Sequence, residues 1–95
     1  MKYFLITKTS MSNYYHIYKS TNVIPRNIRH KFLANEFPIC STNENLRILK
    51  DCPVLYDYNY ISIDNNHNTN YSNSALDILN SDYICPECLN KLKME

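Results

Sequence analysis

The chain has 95 residues, a formal net charge of +1 at pH 7, 44% hydrophobic and 20% charged residues, and no glycine. That length makes one domain, residues 1–95, whose core covers only about 60–65% of the surface the unfolded chain exposes and therefore gains from a staple. The missing glycine excludes a Gly-rich phosphate loop, a dinucleotide fingerprint and a G-x-S-x-G elbow, and no stretch approaches the roughly 20 apolar residues of a membrane span.

In chain order, KYFLITKT (2–9) alternates Tyr3, Leu5 and Thr7 against Phe4, Ile6 and Lys8. NYYHIYKS (13–20) sets Tyr15, Ile17 and Lys19 against Tyr14, His16 and Tyr18. Both are strand-like in residue type and alternation, and the polar link SMSN between them predicts a hairpin. The opening apolar run is too short for a signal peptide and reads as the first strand. Pro25 suits a first helical position, and RNIRHKFLANEF then places Ile28, Phe32 and Leu33 on one face of a helix ended by Pro38.

Ser41 and Glu44 in STNE form a capping-box pattern, which predicts a short helix through NLRILKD with Leu46 and Leu49 buried. VLYDYNYISID (54–64) reads as a strand with Tyr56, Tyr58 and Tyr60 on one face and Leu55, Ile61 and Ile63 on the other. The Asn-rich stretch 64–74 reads as a mobile loop with no apolar anchor except Tyr71, and His67 within it as solvated. SALDILN follows as a short helix carrying Leu76 and Leu79, DYI as a short strand, and Cys88–Met94 as a last turn or two of helix. The expected fold class is α+β, a small antiparallel sheet of three or four strands with short helices.

Four cysteines punctuate this pattern: Cys40, Cys52, Cys85 and Cys88. In a chain read as intracellular and cytoplasmic, thiols stay reduced and cysteines more often bind metal than pair. A two-residue spacer lets both thiolates of Cys85-Pro86-Glu87-Cys88 reach one ion, and Pro86 presets the turn. Structural zinc needs four nitrogen or sulfur ligands, so Cys40 and Cys52 would complete the site, or one of them with a histidine, His16 or His30. The alternatives are buried inert thiols and a redox pair; the latter needs an early strand of a β-α-β unit, and this pair sits seven residues from the end. A cysteine nucleophile would need a partnered histidine, and the three scattered histidines present no local signature. The expected cofactor is a structural zinc held by Cys40, Cys52, Cys85 and Cys88.

Charge is unevenly spread. Residues 1–50 hold eight Lys or Arg against two Glu, while residues 51–95 hold two Lys against five Asp and two Glu. This asymmetry suggests a two-faced surface, without the strong overall basicity of a dedicated nucleic-acid binder. PRNIRHK (25–31) concentrates Arg26, Arg29 and Lys31, a patch that could contact phosphates or an acidic protein surface. Nine tyrosines invite a base-stacking reading, but the stripe Tyr56, Tyr58 and Tyr60 is interleaved with Asp57 and Asn59 rather than with cations. It reads instead as core or protein-contact surface.

Locally, Cys85–Cys88 resembles the second knuckle of zinc ribbons and treble-clef fingers, where a cysteine pair opens a helix; the resemblance covers about five residues and implies a ligand pair. A short, single-domain chain lacking an acid/base or nucleophile constellation, with opposed charge faces, also resembles in type the small inhibitors that phages and mobile elements carry against host defences, such as anti-CRISPR proteins. That resemblance implies a non-catalytic inhibitor in the host cytoplasm. It would bind a larger, nucleic-acid-processing protein target, with Arg26, Arg29 and Lys31 as contact residues and no membrane association. The alternative is a zinc-stabilised nucleic-acid-binding module using the patch 26–31.

Overall fold

The computed structural model describes residues 2–9, 11–20, 35–48 and 59–94. Four strands, β1 (Lys2–Lys8), β2 (Tyr15–Ser20), β3 (Tyr60–Ile63) and β4 (Thr69–Tyr71), form one antiparallel sheet in the order β2-β1-β3-β4. Helices α1 (Asn73–Leu79) and α2 (Pro86–Lys93) follow, with a single 3-10 turn at Glu44–Leu46. The protein is α+β.

Strand alternation sorts the sheet's two faces. Phe4 and Ile6 of β1, Ile17 of β2, and Ile61 and Ile63 of β3 share one face; Phe4 pairs with Ile61 and Ile6 with Ile17. These five residues are buried together with Ala75, Ile84, Cys85, Cys88 and Leu92, so both helices lie on this face. On the opposite face, Leu5 of β1 pairs with Tyr18 of β2, and both are buried. Tyr18 Oη donates a 2.6 Å hydrogen bond to the Leu46 carbonyl, which ties segment 41–48 to that face. A buried phenol needs such a partner.

The two edges of the sheet are finished differently. Along β2, the outward backbone groups of alternate residues are taken by chain from elsewhere. Tyr15 N donates to Tyr83 O (2.7 Å) and Tyr15 O accepts from Cys85 N (2.9 Å), a parallel bridge at Ile84. Ile17 O accepts from Ile39 N and Lys19 O from Asn35 N, each at 2.8 Å. Segment 35–39 therefore runs beside β2 as a covering for its edge. Beside β4, by contrast, no described residue pairs.

Several sequence expectations change. The helix predicted to run to Pro38 does not include residues 35–37, where Asn35 N donates to Lys19 O of β2 and Glu36 O accepts from Ile48 N, each at 2.8 Å; Ile28, Phe32 and Leu33 lie outside the described residues. The expected capping box does not form. Asn43 caps the 3-10 turn by accepting from Asn45 N (3.0 Å), and Ser41 Oγ accepts from Asn43 N (3.1 Å). The turn ends at Leu46, which is half-buried, and Leu49 lies outside the described residues.

Residues 64–74 are not a loop. They hold the β3–β4 turn, all of β4 and the start of α1. Asp64 organises the turn, its Oδ1 accepting from Asn66 N and Asn68 N at 2.9 Å each. Such Asx contacts substitute for glycine in a chain without any. Ser72 then joins strand to helix: its N donates to Tyr60 O, and its Oγ accepts from both Tyr60 N (3.1 Å) and Ala75 N (3.2 Å), capping α1. Local polar contacts of this kind are hard to see as periodicity, which is why the stretch reads as loop from sequence. The strand predicted over 54–64 is described only as β3, and Leu55, Tyr56 and Tyr58 lie outside the described residues.

Candidate metal centre

Three consecutive residues of β2, Tyr15, His16 and Ile17, gather three cysteines from distant parts of the chain. Cys85 arrives because its own N–H is bonded to Tyr15 O. Cys40 arrives because Ile39, its neighbour, is bonded to Ile17 O. Cys88 stands in the first turn of α2, and its Sγ accepts a 3.3 Å hydrogen bond from Ile17 N. Between these attachments, His16 supplies its ring. The four donor atoms all lie within 4.8 Å of one another.

The individual separations can be checked against a tetrahedron. With zinc–sulfur bonds of about 2.3 Å and zinc–nitrogen bonds of about 2.0 Å, sulfurs should stand about 3.8 Å apart and nitrogen about 3.5 Å from sulfur. Cys85 Sγ and Cys40 Sγ are 3.9 Å apart. His16 Nδ1 is 3.7 Å from Cys40 Sγ and 3.8 Å from Cys88 Sγ. A disulfide would need about 2.05 Å, and Cys40, Cys85 and Cys88 are all free. His16, Cys40, Cys85 and Cys88 thus form a Cys3His set consistent with a structural zinc.

The imidazole is held for this task. Its Nε2 lies 2.9 Å from Ser12 Oγ, and the same hydroxyl oxygen accepts from Tyr14 N at 3.1 Å. If Nε2 carries the proton and donates it to Ser12, Nδ1 is left bare and directed at the sulfurs. This is the outer-shell arrangement that fixes tautomer and ring orientation in metal-binding histidines. Burial also holds the His16 pKa below its ordinary 6.5, favouring the neutral ligand form.

The thiols show the opposite electrostatics. Burial pushes the Cys88 and Cys40 pKa values up, although the Ile17 N–H opposes the shift at Cys88. Without a cation these thiols stay protonated; a divalent metal reverses that balance and deprotonates its ligands outright. The N-terminus of α2, with Cys85 as its cap and Pro86 in the first turn, adds partial positive charge beside the sulfurs. A bound zinc would fill all four donors and join β2, segment 35–40 and α2 through one ion.

Three of the four sequence-assigned ligands, Cys40, Cys85 and Cys88, meet here. The fourth donor of the cluster is His16, and Cys52 lies outside the described residues, as do Arg26, Arg29, His30 and Lys31. His16, one of the two histidines the sequence offers as an alternative ligand, lies between Tyr15 and Ile17 on β2. No helix among the described residues is long and apolar enough to cross a membrane. Comparison with protein-family models, with curated proteins and with solved structures finds no match to this chain.

Proposed function

We propose that this chain is a small, zinc-stapled, non-catalytic binding protein that works by contact with another protein. The observation that carries the reading is the closure of the Cys3His set. Four protein donors stand within 4.8 Å of one another, three of the four residues are buried, and a closed four-donor set stabilises a fold, whereas a catalytic zinc keeps a position open for water or substrate. The chemistry-bearing side chains gathered at this site are thereby committed to structure. What the described surface presents instead is exposed apolar and aromatic groups, among them Tyr14, Tyr71, Leu76 and Tyr83, and tyrosine is favoured where proteins meet.

Within this reading the chain belongs in type with the small inhibitors that mobile elements direct against host defence, including the anti-CRISPR proteins. Its uneven charge and the gathering of His16 and the three described cysteines into one closed set support that class. The test uses the zinc-loaded protein as bait against candidate defence nucleases, alongside titration with DNA and RNA of unrelated sequence. A saturable complex of fixed stoichiometry that survives moderate salt is expected. Tight binding to arbitrary nucleic acid that falls steeply with salt and is lost on replacing Arg26, Arg29 and Lys31 would instead establish a nucleic-acid module.

A further inference from the structure

At the edge of the sheet opposite the candidate metal centre, a groove of about 570 Å³ opens between β4, α1 and α2. Its floor and walls are Ile63, Leu79, Leu89 and Leu92, and its outer lip is formed by Tyr71 and Leu76, which are 43% and 46% exposed. Lys93 and His67 stand among the lining residues, and no Asp or Glu does. Among the described residues Lys93 makes no ion pair.

The edge of β4 faces the same place. Asp64 N donates to Asn68 O and Ser72 N to Tyr60 O, both at 3.0 Å, which marks 64/68 and 60/72 as hydrogen-bonded pairs. In an antiparallel ladder such pairs alternate, so Ser62 and Asn70 form the next one and the N–H and C=O of Thr69 and Tyr71 point outward. The side chains of Thr69 and Tyr71 lie on the helix-covered face and line the groove. An added strand on this edge would therefore project alternate side chains into the groove.

His67 reinforces the point. It is the one described residue with positive φ, at 64°. Histidine, like asparagine, takes that conformation more often than most residues, and here the left-handed position carries an imidazole among Asn65, Asn66 and Asn68. The turn thereby places a ring, rather than a small amide, at the groove.

The geometry points to this groove and the β4 edge as a docking site for an extended segment of a partner protein that carries apolar residues and a carboxylate at alternate positions, all on the face turned to the groove. The inference rests on the proposed protein-contact function and names its surface and partner chemistry. The apolar side chains enter between Leu76 and Leu89, the backbone pairs with Thr69 and Tyr71, and a carboxylate meets Lys93. A second copy of this chain fits less well, because its own β4 edge would bring Thr69 and Tyr71, and no carboxylate, to the groove that holds Lys93.

The test is an NMR titration of the zinc-loaded protein with a fluorescein-labelled peptide in which leucine, valine and glutamate stand at alternate positions separated by serines, so that all three share one strand face, and with a control in which lysine replaces the glutamate. The acidic peptide should shift the amides of Thr69, Tyr71, Leu76 and Leu89, and the lysine peptide should bind at least about fivefold more weakly. Leu76→Glu should weaken binding about tenfold and Lys93→Glu up to about fivefold, with metal content unchanged. Absence of binding by the acidic peptide, equal binding of both peptides, or shifts confined to other surfaces would overturn the inference. The two proposals fail separately: a full-length target whose complex is insensitive to Leu76→Glu refutes the groove but keeps the protein-contact function. Failure to bind any protein, with avid binding of nucleic acid, refutes the function itself.

Discussion

His16 Nδ1 and Cys88 Sγ lie 3.8 Å apart across 72 residues of sequence. One belongs to the second strand and the other to the last helix, and what brings them together is the outer edge of β2. Tyr15 pins Cys85, and Ile17 pins both Cys88 and the neighbour of Cys40. The metal centre and the protection of the sheet edge are thus one structure. Loss of the metal should loosen both.

The first consequence concerns ligand removal. Cys88→Ser removes a sulfur and leaves the Ile17 N–H facing a harder, shorter side chain. Since structural zinc contributes its binding free energy to folding, the variant should lose the metal and at least about 3 kcal/mol of stability, which for a chain of this size is on the order of 15 °C in Tm. Thermal unfolding of the purified variant, with and without chelator, checks this. Equal melting temperatures for wild type and variant would show that the thiol is only a packed group.

Ser12 should tune the site without building it. Ser12→Ala deletes the hydroxyl partner of His16 Nε2, leaving the ring free to turn. Removal of such an outer-shell partner costs about 10- to 100-fold in metal affinity. Competition with a chelating dye measures it, and an unchanged affinity would mean that the ring is oriented by packing alone.

The pH dependence has a definite sign. Burial lowers the His16 pKa below 6.5 and raises those of Cys40 and Cys88 above 9.0 in the metal-free chain. A lowered histidine contributes stability present above its unfolded pKa and lost as pH falls through the folded value. Raised thiols contribute stability present below their unfolded pKa and lost as pH rises through the folded value. The metal-free protein should therefore be most stable between about pH 6.5 and 9 and weaken on either side. Zinc binding, which must displace thiol protons, should release protons near neutral pH and lose affinity as pH falls. Calorimetry in buffers of different ionisation enthalpy reads the proton count, and binding without proton release would contradict the thiolate set.

On the other face of the sheet, Tyr18 is buried and its hydroxyl donates to the Leu46 carbonyl at 2.6 Å. Tyr18→Phe should cost about 1 kcal/mol, or roughly 4–8 °C in Tm, while metal content stays at one per chain. Amide exchange in residues 41–48 should quicken in the variant. Unchanged exchange there would show that this segment is held by other contacts.

Much of the fold was legible in the chain. The alternation in 2–9 and 13–20 and the polar link between them announce the β1–β2 hairpin, and Ile61 and Ile63 face the core as their spacing implies. The knuckle Cys85–Cys88 was legible because a two-residue spacer and Pro86 are local features. Its partners are not local. Cys40 is brought in by a backbone bond from Ile39 to β2, and His16 by the strand itself, so neither carries a spacing rule that periodicity could reveal. β4 was hidden for a related reason: three exposed residues following an Asp64 turn have no apolar pattern to read.

The central claim is that His16, Cys40, Cys85 and Cys88 make one complete tetrahedral centre, and the most direct measurement is the absorption spectrum of the cobalt(II)-substituted Cys52→Ser protein. With Cys52 absent and the cluster intact, one equivalent of cobalt should produce thiolate-to-metal charge transfer and the intense visible bands of a four-coordinate ion, identical to those of the wild type. Weak bands of a six-coordinate ion, or loss of stoichiometric uptake on removing Cys52, would contradict the account.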